Sequence, residues 1–393
     1  MRSERKDYRH ALTFISEMKN KNGIVAMLAT MYNDDNITDG YIQRVFAIDN
    51  DALNGIGKLY FEHVPDIDQL LYERVDELHM IIKVNLLNEL NVKVITGLFK
   101  KCRVVYAHSV FRCSEWELNP QILKWLVQNQ VFFIVDMHGA VPEEIAMQGH
   151  AIIAHVHQKT EEIVMAGANR IICVNHAMQD HYLNKYRYLK QKPQFIVMPI
   201  FPPADIDRET IANKVEAYEP DKVKVVYAGG MQKWQNIALM QDVIEKLQDK
   251  CSFNILTGEV DSFLALYGDR KGNRSMFVRK ATPKEVKEIN CESHYGFALR
   301  DNTIVNNVAC PTKMIEYIQQ GVVPILKSDR IGDFLRNGLK YMHLDAFSKG
   351  KFFSKEEYEK AVFKNLQVLD RFSDDYEKGK KELLDVIKGE IKR

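Results

Sequence analysis

The chain has 393 residues, enough for two or three domains that each bury a core. Its charges nearly cancel, with 54 Lys and Arg against 53 Asp and Glu, which argues against a nucleic-acid binder that relies on a basic surface. Hydrophobic residues make up 46% and charged residues 27%, so disorder is excluded as the main state. The six cysteines form no CxxC pair, and this predicts buried thiols in a cytosolic protein.

Short apolar runs alternate with amphipathic segments over the first half of the chain. Runs that are apolar at every position suit strands of a parallel sheet covered on both faces. The predicted strands are 23–28, 58–62, 79–84, 103–107, 131–136, 170–174 and 194–198. The predicted helices are 39–51, 87–101, 120–129, 142–166 and 177–189. This alternation predicts a doubly wound α/β domain over residues 1–203.

A second series of the same kind follows a proline-rich break. Pro199, Pro202 and Pro203 stiffen the chain, and the polar residues 204–222 are predicted to be a linker. The strands predicted beyond it are 223–227, 252–256, 275–278, 294–299 and 322–326. The helices predicted beyond it are 234–248, 260–267, 283–289 and 312–320. We expect a second doubly wound domain over 223–373, facing the first across a cleft.

The two ends of the chain carry charge rather than long apolar runs. Residues 1–20 have no apolar stretch of the kind found in signal peptides, and no run approaches the roughly 20 residues of a membrane span. Residues 355–393 are predicted to form two charged amphipathic helices. The last of these, 374–393, is expected to pack back on the N-terminal domain.

A glycine pair follows the first strand of the second domain, in the order Gly229, Gly230 and then Lys233. Glycines let backbone N–H groups approach an anion closely, and a following helix adds partial positive charge at its start. Lys233 adds a full charge. The pattern therefore indicates a phosphate site, with a tight strand–helix turn that binds nothing as the alternative.

A longer polar stretch runs from Arg300 to the strand at 322–326. Pro311 is suited to a helix start, which puts Thr312 and Lys313 in the first turn and Glu316 one turn later. Two cations at a strand end and a helix start suit a diphosphate, and an acidic side chain can accept hydrogen bonds from vicinal hydroxyls. The alternative is an ordinary helix with one surface ion pair.

The first domain has its own polar strand end. A buried strand delivers Asp136 and His138 to its carboxyl end, where a histidine can contact a substrate hydroxyl or transfer a proton. A histidine satisfied by neighbouring backbone groups is the alternative. Near the N-terminus, Asp39, Gly40, Tyr41 and Arg44 follow the first strand and are expected over the same cleft, although a surface turn would look similar.

At these residues the chain resembles retaining glycosyltransferases of the GT-B fold, in the large glycosyltransferase family 4, and especially enzymes of bacterial surface polysaccharide biosynthesis. The matching stretches are 39–44, 136–144, 172–182, 226–234 and 294–324. The most specific of them runs from Pro311, Thr312 and Lys313 through Glu316. The chain departs from the family where Val308 replaces the first of two glutamates and where Gly230 replaces an arginine.

The resemblance implies that the second domain binds a sugar nucleotide and that the first holds the acceptor. The implied catalytic residues are His138, Glu316, Lys313 and Arg300. The implied donor-binding residues are Gly229, Gly230, Lys233, Val278, Arg279, Asn306, Asn307, Thr312 and Glu316. The implied acceptor-binding residues are Asp39, Gly40, Tyr41 and Arg44. Within these sets, Glu316 would bind the ribose, Arg279 would face the base, and Asn306, Asn307 and Arg300 could replace the missing groups.

The resulting hypothesis is a metal-independent hexosyltransferase with no cofactor. It would move a sugar from a UDP- or GDP-linked donor to a hydroxyl of a glycan or lipid-linked glycan, with retention of configuration. We expect it to bind no nucleic acid and to work in the cytoplasm, with peripheral contact at the inner face of the membrane as a further expectation. Two alternatives stay open: a sugar-nucleotide 2-epimerase on the same fold, and a non-catalytic subunit that binds a sugar nucleotide or glycan.

Overall fold

A computed structural model describes residues 4–33, 36, 40–128, 130–200, 206–267 and 275–392 of the chain. The chain divides into two compact units. The N-terminal unit comprises Met1–Pro199 together with Tyr376–Arg393, and the C-terminal unit comprises Ile200–Asp375. Each unit is built around one sheet covered by helices, as the alternation of apolar runs predicts.

The N-terminal unit contains an eight-stranded sheet in the order β3-β4-β2-β1-β5-β6-β7-β8. Strands β1 to β8 are Ile24–Leu28, Gly57–His63, Leu71–Arg74, His79–Val84, Val104–His108, Phe132–Met137, Arg170–Cys173 and Gln194–Val197. Helices α1 to α7 are Glu4–Asn20, Gly40–Ala47, Glu89–Cys102, Pro120–Val127, Val141–Met147, Ala151–Gly167 and His176–Lys185. A π-helical segment, Ile48–Ala52, continues α2, and a 3-10 turn, Val110–Cys113, follows β5.

The C-terminal unit contains a six-stranded parallel sheet in the order β11-β10-β9-β12-β13-β14. Strands β9 to β14 are Val223–Ala228, Cys251–Leu256, Met276–Arg279, Tyr295–Ala298, Val323–Leu326 and Met342–His343. Helices α8 to α14 are Arg208–Glu216, Ile237–Leu247, Val260–Tyr267, Pro283–Glu292, Ile304–Asn307, Thr312–Gln319 and Leu344–Phe347. Helix α15, Lys355–Lys392, begins in this unit and ends in the N-terminal unit. A 3-10 turn, Lys233–Gln235, precedes α9.

Strand order reverses once in the middle of each sheet. The chain builds outward from β1 through β2 on one side and then resumes with β5 on the other, and β9 and β12 play the same parts in the C-terminal unit. Ligands of open parallel sheets bind at such switch points, outside the carboxyl ends of the strands. Some of the predicted site residues follow these central strands, such as Gly229 after β9 and Arg300 after β12, whereas His138 follows β6 and Arg279 ends the edge strand β11.

Four predictions about local structure are corrected. The helix predicted over 142–166 is two helices, since Gly149 takes a left-handed backbone with φ +92° between α5 and α6. The two predicted C-terminal helices are one helix, α15, because no proline interrupts its 38 residues. The antiparallel edge strand β3 and helix α1 were both missed. In α1 the buried residues are Ala11, Phe14, Ile15 and Met18, a spacing typical of an amphipathic helix.

The predicted linker also contains structure of its own. Asp207 caps helix α8 by accepting a hydrogen bond from the Thr210 amide at 3.0 Å. Ile211 and Val215 are buried on one face of this helix. Lys214 donates to the Ser293 carbonyl at 2.9 Å, so α8 is fixed within the C-terminal unit. Among the described residues, no helix is both long and apolar enough to cross a bilayer.

Candidate functional site

Lys313 is the central cation of the C-terminal unit. It lies in the first turn of α13, and its Nζ donates to Gln235 Oε1 at 2.8 Å and stands 4.3 Å from the centre of the Tyr227 ring. No carboxylate pairs with it within the described part of the chain. Burial, reinforced by the charge of Arg300, lowers the pKa of Lys313 well below its usual value. Its direct contacts are neutral, so a bound anion would favour the charged form that burial disfavours.

Gly229 brings the strand β9 turn against this lysine. A β-carbon at position 229 would lie 2.8 Å from Lys313 Nζ and 3.2 Å from the Tyr227 hydroxyl, and the backbone has φ +153°. Only glycine fits both the space and the conformation. The Tyr227 hydroxyl donates to the Gly230 carbonyl, which closes the turn. The glycine segment and the start of α13, predicted as parts of one anion site, therefore meet.

Helix α13 starts without a side-chain cap. Pro311 is the N-cap residue and provides no side-chain acceptor for the first amides, which include those of Thr312 and Lys313. Uncapped N–H groups together with the helix dipole favour an anion at this end. Glu316 follows one turn later and is partly buried, and burial raises its pKa while Lys313 opposes that shift.

The loop after β12 carries the second cation, Arg300, which is 9% exposed. Its Nη1 donates to Asn306 Oδ1 at 3.2 Å, and Asn306 Nδ2 donates to the Asp301 carbonyl at 2.9 Å. Asn306 is fully buried and holds this loop together, so in this structure it supports Arg300, and its contact with a donor stays a prediction.

Sequence reasoning missed Asn236, which joins the two loops. Its backbone is left-handed, with φ +54°, and its Nδ2 donates to the Leu299 carbonyl at 2.7 Å and to Asp301 Oδ2 at 2.9 Å. Asparagine tolerates this backbone better than most residues. An asparagine just before the first turn of a helix was the one available signal.

The remaining predicted donor residues differ in where they lie relative to this centre. Lys233 is exposed in the 3-10 turn, and Asn307 is partly buried with its side-chain amide against Asn302. Val278 and Arg279 end β11, two strands away from β9. Arg279 donates to Glu285 Oε1 at 3.0 Å, and both side chains are well exposed, so the structure does not bring this arginine to the Lys313 cluster.

The N-terminal unit has a different charge arrangement at the ends of β5 and β6. Arg44 is completely buried and donates to Asp136 Oδ2 at 2.9 Å, to Asp136 Oδ1 at 3.3 Å and to the Pro199 carbonyl at 3.1 Å. Burial alone would raise the pKa of Asp136. The charge of Arg44 and two nearby histidines instead holds this pKa at about 2. Arg44 is therefore a structural partner of Asp136 in this structure, and the acceptor contact predicted for it would cost one of these hydrogen bonds.

Above this pair, Tyr41 and His138 stack with ring centres 5.5 Å apart and planes 8° from parallel. Arg112 was missed by sequence reasoning; its Nε donates to the Tyr41 hydroxyl at 3.0 Å. His108 is fully buried, and burial lowers its pKa to about 3. Gly40 begins α2 beside open space, and Asp39 lies outside the described residues.

Three possible metal ligands occur together in this unit. The ligand atoms of His108, Asp136 and His138 all lie within 4.8 Å of one another. However, the guanidinium of Arg44 already binds both oxygens of Asp136, and its positive charge opposes a second cation there. The cluster is better suited to binding hydroxyls or moving a proton than to holding a metal.

Comparison with known proteins finds similarity in structure alone, since neither the models of protein families nor the curated proteins give a match. A glycosyltransferase from Rickettsia africae matches 95% of this chain and 100% of its own at TM-score 0.60 and 14% identity. Sucrose-phosphate synthase from Thermosynechococcus elongatus matches 93% and 98% at TM-score 0.57 and 12% identity. HepE from Anabaena, solved with UDP and glucose, matches 93% and 98% at TM-score 0.59 and 8% identity.

These likenesses confirm the predicted fold class. Both units are Rossmann-like α/β domains, and together they have the fold of GT-B glycosyltransferases. At identities of 8–14% the likeness establishes the fold and leaves activity to be argued from the site.

Proposed function

We propose that this protein is a retaining, metal-independent hexosyltransferase of glycosyltransferase family 4. Its donor would be a UDP- or GDP-linked sugar, and its acceptor a hydroxyl of a glycan or lipid-linked glycan in surface polysaccharide biosynthesis. We place it in the cytoplasm, with peripheral contact to the membrane where the acceptor is lipid-linked. The GT-B fold and neighbours such as HepE, solved with UDP and glucose, support this proposal.

One observation carries the proposal: Lys313 is held against the glycine turn without a carboxylate partner among the described residues. A lysine that served stability alone would be expected to pair with an acid, since an unpaired cation is costly to bury. Here the neutral amide of Gln235 and the Tyr227 ring hold it in place instead. A diphosphate at this position would supply the missing negative charge.

The chemical step needs stabilisation of a departing nucleoside diphosphate. Lys313, Arg300 and the free amides at the start of α13 provide positive charge that is already oriented before the reaction. The bond between the anomeric carbon and the diphosphate breaks, and the acceptor oxygen bonds to that carbon on the same face. The acceptor proton passes to the departing phosphate oxygen, so no protein nucleophile is required.

Four other residues take binding roles in this proposal. Glu316 lies one turn from Lys313 and would accept hydrogen bonds from the ribose hydroxyls. In the N-terminal unit, the stacked pair Tyr41 and His138 would contact sugar hydroxyls. Arg279 would contact the nucleotide base. To reach a base it would have to give up its hydrogen bond with Glu285.

Thermal unfolding in the presence of nucleotides tests the proposal. UDP or GDP should raise the melting temperature of the wild-type protein, because a ligand that binds the folded state stabilises it. Lys313→Ala should abolish the shift. Lys246→Ala is a matched control, since Lys246 is exposed at the far end of α9. If UDP, GDP, ADP and their sugar conjugates all leave the wild-type melting temperature unchanged, the proposal fails.

A further inference from the structure

Three aromatic rings form a surface next to the carboxyl end of β5, which we name the aromatic ledge: Phe111, Trp116 and His157. The His157 ring is stacked 5.4 Å from Phe111, with planes 19° apart, and lies 5.1 Å from Trp116. His157 is 1% exposed, whereas Phe111 and Trp116 are 40% and 41% exposed. Two large rings therefore present open area to solvent on either side of a buried imidazole.

This exposure is not explained by packing within the N-terminal unit. Phenylalanine and tryptophan contribute most to stability when they are fully buried, and exposed ones are typical of binding surfaces. Ile153, one helical turn before His157 on α6, is also 41% exposed and extends the same side. The ledge thus keeps apolar surface in water at a cost that a ligand would remove.

The buried imidazole adds a polar group with unused capacity. Nδ1 of His157 is shielded from solvent, and no described residue forms a hydrogen bond with it. Burial lowers the pKa of His157, so the ring is neutral near pH 7 and can both donate and accept a hydrogen bond. A buried nitrogen without a partner in the described chain is unusual, and a ligand seated against the Phe111 and Trp116 rings could supply that partner.

The ledge is connected to the polar site of the same unit through one short turn. Within the turn Val110–Cys113, Phe111 contacts His157, whereas the next residue, Arg112, contacts the polar site. Arg112 donates to the Tyr41 hydroxyl at 3.0 Å and to Thr30 Oγ1 at 2.8 Å, just after β1. Phe111 of the ledge is therefore next in sequence to the arginine that contacts Tyr41, a residue proposed to contact sugar hydroxyls.

We propose that the aromatic ledge is a subsite for a pyranose ring of a glycan acceptor. Pyranoses present one face of C–H groups, which packs on an aromatic ring, and an edge of hydroxyls, which suits a neutral imidazole. The two exposed rings would hold successive sugar units leading to the reacting hydroxyl. This inference rests on the proposed transferase function and narrows its acceptor to a carbohydrate at this subsite.

Saturation-transfer NMR on the full chain tests the ledge directly. The probes are methyl α-D-glucopyranoside, methyl β-D-galactopyranoside and methyl α-D-mannopyranoside, each at millimolar concentration without donor. At least one should receive saturation at its ring C–H protons. Trp116→Leu and Phe111→Leu should each weaken that probe about tenfold, the loss expected for one aromatic contact. His157→Phe keeps the ring and removes Nδ1, and it should weaken binding by a smaller factor.

Trp125→Leu is the matched control, because Trp125 is half-buried on α4 and has no ring contact with the ledge among the described residues. It should leave the transfer unchanged. No transfer to any probe, or equal transfer in Trp116→Leu, overturns the inference. So does a blue shift of tryptophan emission with phosphatidylcholine vesicles that disappears in Trp116→Leu, because the ledge would then be a bilayer contact.

Adding UDP to the same samples separates the two proposals. If UDP raises the melting temperature but no pyranoside receives saturation, the ledge inference fails and the transferase proposal stands. If a pyranoside binds at the ledge while no nucleotide binds the protein, the transferase proposal fails and the ledge remains a glycan site of a binding protein.

Discussion

Two cations on helices, fully buried Arg44 in the N-terminal unit and partly buried Lys313 in the C-terminal unit, differ in their partners. Arg44 lies on α2 and contacts the end of β6, and Lys313 lies on α13 and contacts the end of β9. Arg44 binds both oxygens of Asp136, and Asp136 also accepts from the Tyr106 hydroxyl at 2.7 Å. Lys313 has the Gln235 amide and the Tyr227 ring.

The difference separates a charge used for structure from a charge kept for a ligand. A guanidinium with a complete set of acceptors stabilises the elements it joins, which here are α2 and β6. An ammonium with neutral partners stabilises little and can accept a new anion without breaking an ion pair. Stability and ligand binding should therefore respond in opposite ways to mutation of the two residues.

The largest expected effect comes from Arg44→Met. It leaves the Asp136 carboxylate buried without its counter-charge, and breaking a buried pair in this way costs about 3–5 kcal/mol. Urea unfolding should show that loss, and Arg44→Met combined with Asp136→Asn should recover most of it. A loss below about 1 kcal/mol in the single variant would mean that Arg44 is not the structural partner described here.

Lys313→Met should leave stability intact and weaken nucleotide binding, the reverse of what we expect for Arg44→Met. The variant keeps the length of the side chain and removes a charge that is costly to bury, so the free energy of unfolding should stay the same or rise. UDP or GDP affinity should fall about 10- to 100-fold, as expected for one lost charged hydrogen bond. Calorimetric titration measures the affinity. A destabilised variant with unchanged nucleotide affinity would contradict the comparison.

His108 gives the N-terminal unit a dependence on pH. Its folded pKa of about 3 lies below the usual 6.5, so the unfolded chain binds more protons between these values. Stability should therefore be complete above pH 6.5 and fall toward pH 3, by at most about 1.4 kcal/mol per pH unit from this one group. Unfolding of wild type and His108→Phe at pH 7.5, 6.0 and 5.0 measures it, and identical slopes would exclude His108 as a cause.

The smallest effect belongs to the ion pair between Asp51 and Lys380, which fixes the last part of α15 within the N-terminal unit. The Tyr376 hydroxyl also donates to Asp51 at 2.6 Å. Since both charged side chains are partly exposed, Lys380→Met should cost no more than about 1 kcal/mol. The cost should shrink in 1 M salt. A cost equal to that of Arg44→Met would remove the contrast between buried and exposed pairs.

Much of the fold could be predicted because its strands are apolar at every position. The predicted segment 79–84 coincides with β4, and most other predicted strands differ from the observed ones by one or two residues. The predictions that failed concern short local features. Strand β3 reads Leu-Tyr-Glu-Arg and is largely exposed, so no hydrophobic pattern marks it. The break at Gly149 looks, in sequence, like a glycine tolerated inside a helix.

The candidate site was predictable to the extent that backbone geometry determines it. Gly229 and Lys313 are 84 positions apart, yet both follow from the rule that parallel strands end at one edge of a sheet. Whether a charged side chain is already paired can be learned only from the structure. Arg44 and Arg300 look alike in sequence, and only the distances to Asp136 show that the first is already fully paired.

Tyr317 explains how the candidate site of the C-terminal unit stays open between two central strands. Strands β9 and β12 pair only as far as Val226 and Gly296, and beyond that point the Ala228 amide donates to the Tyr317 hydroxyl at 3.2 Å. The Tyr317 phenol takes the place of a neighbouring strand as hydrogen-bond partner. Gly296 has no side chain and therefore leaves room for the Tyr317 ring. A single buried side chain thus keeps two central strands apart at the point where the glycine turn of the candidate site begins.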